Sequence, residues 1–413
     1  MNRAELQLAV RPLAYLNAIA DSPDGMVELR PGTAPRLLVW HPEVLEEIFR
    51  SDRRLAHPGS RSLTPLLGPG SLLWADGERH AAYRRVLGPA LRGRALTGHR
   101  EIIAGHLRAA IDELRPGTVV PLAAWTRKLA LRIIGRIVLG APEPGMLAEF
   151  GGWLRRAFGS RTRGLAYRFL GVRLPRSGPD LDRALVRAAR AGHDDGQATL
   201  AALLLSGDGP IGELGEAELR DQIVSLLFAG HETTATAMTW TLLWLDRDRR
   251  LREAVLAELA DADADGSDAT RTPLLQAVIQ EVLRLTPSTA IGENRMLTEE
   301  TELGGRRFPA GTVCTLSIYL AHRRPEAFAA PRRFDPGRFL GTRPPRHYFP
   351  FGGGTRRCLG SGLAQLEIRM LVAELLRRRH WHCVNPGAGR VRIRGNLLTP
   401  DPALRMRVTG DRG

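Results

Sequence analysis

Apolar positions along this chain fall mostly into long runs of helical period broken by Gly and Pro, with shorter alternating stretches near the N-terminal end. Met26 to Leu29 and Leu37 to Trp40 predict two short strands separated by the turn residues Pro31-Gly32. His41-Pro42 then opens an amphipathic helix that runs through Phe49. The segment from His57 to Leu72, rich in Gly, Pro and Ser, predicts a long loop, and long loops in compact enzymes are often functional. From Glu78 to about Pro210 the pattern is helical, with breaks at Gly140-Ala141-Pro142 and between Pro175 and Pro179.

The most informative run is Glu216 to Leu245. It has no proline and is apolar nearly all round, which predicts a buried helix about 45 Å long. A membrane span shares that apolarity, but the polar island His231-Glu232-Thr233-Thr234 at its centre argues against one. A further helix runs from Pro273 to Leu285 and stops at Pro287. Arg307-Phe308 and Thr312 to Tyr319 predict strands around the turn at Pro309-Ala310-Gly311, and Pro325 to Pro350 predicts irregular, ordered loop. A last long helix starts near Leu359, where Leu359, Leu363, Leu366 and Met370 recur at helical spacing. The expected fold is mainly α with a minor β-rich lobe, in one large domain over 1–413. Its β-rich portions are roughly 20–60, 286–320 and 385–410, and its helical portions roughly 75–285 and 359–380.

Composition narrows the function classes. Of 413 residues 43% are apolar, enough for a sizeable core and too many for disorder. The net charge is +15, from 59 Lys+Arg against 44 Asp+Glu, and Lys128 is the only lysine. The arginines are scattered among acids, with short runs such as Arg377-Arg378-Arg379 and no basic tail, so nucleic-acid binding is the weaker reading of that charge. Three cysteines, Cys314, Cys358 and Cys383, do not make a disulfide framework and point to a reducing compartment. Arg3, Glu5 and Arg11 argue against a signal or anchor at the N-terminus, so a soluble cytoplasmic protein, not a membrane one, is expected.

Candidate chemistry concentrates in Phe351-Gly352-Gly353-Gly354-Thr355-Arg356-Arg357-Cys358-Leu359-Gly360. Its glycines permit a tight turn and close approach to a flat partner. Cys358, at a helix entrance beside two arginines, sits where a thiolate is favoured. A buried small hydrophobe, or a phosphate cradle, fits the same pattern, although no Gly-Lys-Ser/Thr accompanies it.

The loop resembles the haem-binding signature of the cytochrome P450 family, Phe-Gly-x-Gly-x-Arg-x-Cys-x-Gly, at every fixed position. The resemblance implies heme b with Cys358 as the metal ligand, in a loop shaped by Phe351, Gly352 and Gly360. Three further segments agree. Glu281 and Arg284, spaced to pair on one helix face, resemble the family's buried ion pair, completed by Arg338 as structural support for the loop. Ala229-Gly230-His231-Glu232-Thr233-Thr234 resembles its oxygen-binding signature. There Ala229 and Gly230 would leave room above the haem, Thr233 would orient oxygen and water, and Glu232 would conduct protons. A bond from the Thr hydroxyl back to the helix is the structural alternative. His80 and Arg84, four apart on one helical face, resemble the family's haem-propionate contacts, with Arg295 and Arg356 as the remaining ones.

The resemblance also implies a monooxygenase that activates dioxygen to hydroxylate or otherwise oxidise a small, largely apolar molecule, in bacterial secondary metabolism. Electrons would come from a separate ferredoxin or flavodoxin with its NAD(P)H-dependent reductase, since the chain ends soon after its last long helix. Arg92, Arg94 or Arg377 would dock that acidic partner. By family position the substrate pocket draws on the His57–Leu72 loop, Ala229, Thr233, Thr289, Ala290, Ile291 and Asn396 to Leu398, including Leu397. A monomer is expected. A haem-binding sensor without turnover, an arginine-rich nucleic-acid binder and a peroxide-driven peroxygenase are the competing readings.

Overall fold

The computed structural model describes residues 3–58, 63–158, 174–207, 209–265 and 268–412. It is 55% helical, with small sheets. The proline-free run forms one helix, Glu216–Arg247, of 32 residues, which traverses the molecule as the central helix. It packs most extensively on the Leu122–Leu139 helix, and the two approach closely at Gly230, where a Cβ would lie 2.7 Å from Ile134. The larger hydrophobic core gathers around these two helices and the Ser361–Arg378 helix that follows the cysteine loop.

The second core lies under a five-stranded sheet. Met26–Arg30 pairs antiparallel with Arg36–Val39, which runs parallel to Val313–Leu316; Arg295–Leu297 and then Leu55–Ala56 complete the sheet. Both ends of the chain therefore build one sheet, and the connection between its parallel neighbours contains most of the helices. Pro42–Arg50 and Pro273–Leu285 form the helices expected there, each with proline in its first turn.

Some expectations are corrected. The strand read over Thr312 to Tyr319 ends at Leu316, because the Ser317 side chain accepts the Leu320 N–H and starts a short helix, Ile318–Ala321. Arg306–Phe308 pairs backwards with Thr301–Leu303, not across the Pro309 turn. Strands Val119–Pro121 and Arg379–Cys383 join Arg405–Asp411 in a separate sheet, inside or just beyond regions read as helical. The helix after Cys358 begins at Ser361. Part of the His57–Leu72 loop, residues 59–62, lies outside the described residues.

Candidate active site

The three cysteines separate by environment. Cys314 and Cys383 are buried, and burial pushes each thiol up to about 12, so both stay protonated and inert. Cys358 is the exposed one. Yet it is surrounded by protein, and desolvation raises its thiol pKa against the pull of the Gly360 N–H, Arg84 and Arg357. A side chain both enclosed and accessible faces an internal cavity. The helix-entrance N–H and the nearby arginines favour the thiolate as expected, while desolvation opposes them, and a bound metal cation would supply the remaining pull on the proton.

The loop's geometry follows from its glycines. Gly352 and Gly354 adopt φ +66°, a region that L side chains rarely enter. A Cβ on Gly354 would strike Asp52, and one on Gly353 would strike Phe49. At Gly352 and Gly360 a Cβ would meet nothing within 4 Å. The Cys358 N–H donates to the Phe351 carbonyl at 2.9 Å and closes the loop.

Across the interior, the central helix is buried almost throughout its middle. Ala229 is exposed and Thr233 half-buried, so a small window of this helix opens onto interior space. Gly230 also serves the crossing with Ile134, which a Cβ there would crowd. The Thr233 hydroxyl donates to the Ala229 carbonyl at 2.7 Å, which leaves its oxygen as an acceptor. Glu232, one residue earlier and about 100° round the helix, turns away from that window. It accepts from Arg394 at 2.7 Å, with Arg127 at 3.9 Å. Burial works to raise its pKa, but Arg394, His231 and Arg127 together hold it below the ordinary carboxylate value. His231 beside it is buried, its pKa pushed down to about 4 chiefly by desolvation, and its Nδ1 has no hydrogen-bond partner among the described residues.

The sequence-predicted pocket residues assemble next to Thr233. The Ser288 hydroxyl donates to the Thr233 carbonyl at 2.8 Å. Thr289 bridges to Leu397, Ile291 to Ser317, and the Ala290 N–H donates to the Asn396 carbonyl. Ala290 itself is fully buried, so Thr289, Ile291 and Leu397 supply the accessible lining.

At the cavity's edge lies a group of charges. His80 feels Arg356, Arg84, His57 and Asp76, and desolvation leads in pushing its pKa down to about 4. Arg356 donates to the Ala75 carbonyl at 2.5 Å and to Asp76 at 3.0 Å, but its buried Nε has no hydrogen-bond partner among the described residues. Arg295 is held by Asp52, which also takes the Thr355 N–H at 2.7 Å. His57 lies between Asp76, at 3.0 Å, and Asp52, at 3.2 Å. Arg84 has no ion pair among the described residues. Sequence reasoning missed Asp52; Asp76 had a signal, as the N-cap of the helix carrying His80.

Behind the loop, Glu281 and Arg284 are fully buried and joined by two bonds of 2.6 and 2.8 Å; Arg338 reaches Glu281 at 3.2 Å. The remaining Arg284 donors meet the carbonyls of His322, Pro331 and Arg333. His322, another residue missed, links this pair to the loop: Nδ1 donates to the Arg284 carbonyl and Nε2 accepts the Phe349 N–H at 2.8 Å.

These residues fit a flat, dianionic metal macrocycle. A sulfur that can serve as a soft ligand is accessible, two loop positions carry no side chain, and Arg84, without an ion pair among the described residues, and the Arg356 Nε, without a hydrogen-bond partner among them, are free to meet carboxylates. A helix-rich fold with one accessible cysteine on such a loop defines a haem-thiolate protein.

The comparisons agree. The cytochrome P450 sequence profile matches residues 183–405. Cytochrome P450 135A1 of Mycobacterium tuberculosis is 35% identical over 407 residues, covering 92% of this chain and 87% of that protein. Cyclooctatin synthase of Streptomyces melanosporofaciens is 29% identical, covering 97% and 90%. Retinoic acid-bound cyanobacterial CYP120A1 shares the fold with TM-score 0.83 and 23% identity, over 98% of this chain and 96% of that one. This chain belongs to the cytochrome P450 family. It is accordingly a monooxygenase that carries haem on a cysteine thiolate and works with a substrate, dioxygen and a redox partner. Among the described residues, no helix is long and apolar enough to cross a membrane.

Proposed function

We propose that Cys358 is the axial ligand of heme b and that the chain oxidises a small, largely apolar organic molecule in bacterial secondary metabolism. The observation that carries the site assignment is the inward-facing Cys358, the one accessible cysteine, on a loop whose glycines leave a flat face open. Bound there, the haem would supply oxygen activation, with the thiolate pushing electron density toward iron. His80, Arg84 and Arg356 hold its carboxylates. Arg295, committed to Asp52, contributes through that cluster. Glu281, Arg284 and Arg338 brace the loop through His322.

Thr233 accepts a hydrogen bond from a cavity water and positions it, and Glu232 provides protons when Arg394 releases it. Thr289, Ile291 and Leu397, beside Ala229 and Thr233, contact substrate; their mainly small or aliphatic character supports an apolar one. The relative named cyclooctatin synthase supports a role in secondary metabolism. A separate ferredoxin or flavodoxin delivers electrons at the exposed Arg92 and Arg94. Arg377 suits docking less well, because Asp263 pairs with it at 2.5 Å.

Cys358→Ser tests the assignment. The variant should lose the red-shifted Soret band of the reduced carbonyl complex that marks thiolate ligation. Persistence of that band would assign the ligand elsewhere.

A further inference from the structure

About 25 Å along the Ser361–Arg378 helix from the cysteine loop, its far end borders a second cavity of about 180 Å³. Its wall is cationic and comes from three elements. Arg252 projects from the Arg249–Ala264 helix, His380 and His382 from the Arg379–Cys383 strand, and Arg412 from the end of the chain. Trp381 completes the wall, with the Arg252 guanidinium 5.4 Å over its ring.

The local acids offset part of this charge, chiefly at Arg379 and Arg252, and leave Arg412 without an ion pair among the described residues. Asp411 takes Arg379 at 2.9 Å, and three backbone carbonyls occupy the rest of that guanidinium, so Arg379 adds charge but few donors. Asp246 lies 3.5 Å from Arg252, whose same nitrogen also donates to the Trp381 carbonyl. Glu253 is near Arg412 but is engaged by Arg249 at 2.7 Å. Arg412 has no ion pair among the described residues, and its Nε is buried without a hydrogen-bond partner. A buried donor left unmet is rare and calls for an acceptor.

We propose that this cavity is an anion site for a phosphate group, held by Arg412 and Arg252 with His380 and His382. The donors belong to three separate elements, which suits a tetrahedral oxyanion with acceptors on every side better than one planar carboxylate. The carbonyl of Arg378, which would repel an anion at this helix end, is taken by the Arg412 N–H. A volume several times the roughly 30 Å³ share of a water molecule leaves room for a small organic substituent. The group is therefore either inorganic phosphate or the head of a phosphomonoester.

The test is calorimetric titration of the haem-loaded protein with inorganic phosphate and with a nucleoside monophosphate, against sodium chloride at matched ionic strength. Saturable one-site binding of either anion supports the site, and the tighter of the two identifies the source. Arg412→Gln and Arg252→Gln should each weaken binding about tenfold, the effect of losing one charge-assisted bond, while an unaltered haem spectrum shows that each variant is folded. Heats indistinguishable from chloride, or equal affinity in both variants, would overturn the proposal. No turnover is needed, so the outcome is separate from that of the monooxygenase assignment.

Discussion

Arg394 donates to Glu232 at 2.7 Å across 162 positions of sequence, from a hairpin whose opposite strand lines the substrate side of the cavity. Arg394 is register partner to Leu397, and Leu397 bridges to Thr289. The Trp240 indole holds the same hairpin through the Leu398 carbonyl at 2.7 Å. One hydrogen-bonded unit thus joins pocket residues to the charge that controls the buried carboxylate.

Removing that charge should change how Glu232 titrates. Arg394 is the leading cause that lowers its pKa against desolvation. In Arg394→Met the carboxyl pKa should rise, and each unit corresponds to about 1.4 kcal/mol. The acid limb of the turnover profile should move to higher pH, measured as product formation against pH at saturating reductant. Stability should fall by about 3 kcal/mol, because one partner of a buried pair is left charged. A profile superimposable on wild type would remove Glu232 from proton delivery.

His322 makes the fold acid-sensitive. Its ring is fully buried, with desolvation pushing its pKa down to about 3 from an ordinary 6.5. Nε2 must stay unprotonated to accept the Phe349 N–H. The unfolded chain binds this proton more readily, so stability is full above pH 6.5 and falls toward pH 3 by about 1.4 kcal/mol per unit. Chemical denaturation across that window should show a shallower slope in His322→Gln, whose side chain does not titrate. An unchanged slope would assign the acid sensitivity to other groups.

Some of this was readable in one dimension and some was not. The central helix was plain because its run lacks proline, and the cysteine loop because ten consecutive residues carry it. Glu281 and Arg284 share one helix face, so their pairing followed from spacing. Asp52, His57 and Asp76 converge from a short helical turn, a loop and a helix cap, and no periodicity brings such residues together. Nothing in the sequence around Arg394 marks it out, and only the hairpin's place against the central helix brings it to Glu232. Val119–Pro121 is too short to display alternation.

The loop before His80 depends on one amide. Gln222, fully buried, accepts the Leu72 N–H at 2.8 Å and donates to the Gly70 carbonyl at 2.5 Å. Gln222→Leu leaves both backbone groups unmet at about 1–3 kcal/mol each. Hydrogen exchange over residues 70–75 should accelerate while the Ser361–Arg378 helix stays protected. Unchanged exchange would mean that Asp221, bonded to the Gly70 N–H at 2.9 Å, and Ser225, 2.6 Å from Ser71, suffice.

Thr233 separates a positioning role from a packing one. Its hydroxyl proton is committed to the Ala229 carbonyl, so only its oxygen is available to hold a water in the cavity. Thr233→Ala deletes that acceptor, Thr233→Ser keeps it, and Thr233→Val deletes it while keeping the branched shape. If the acceptor matters, Ala and Val variants should lose product per NAD(P)H consumed, by up to about 10²-fold, the low end for a lost proton-handling group. Peroxide should appear in its place, and Ser should restore coupling. Loss in Ala with recovery in Val would instead identify Thr233 as a packing residue of the central helix.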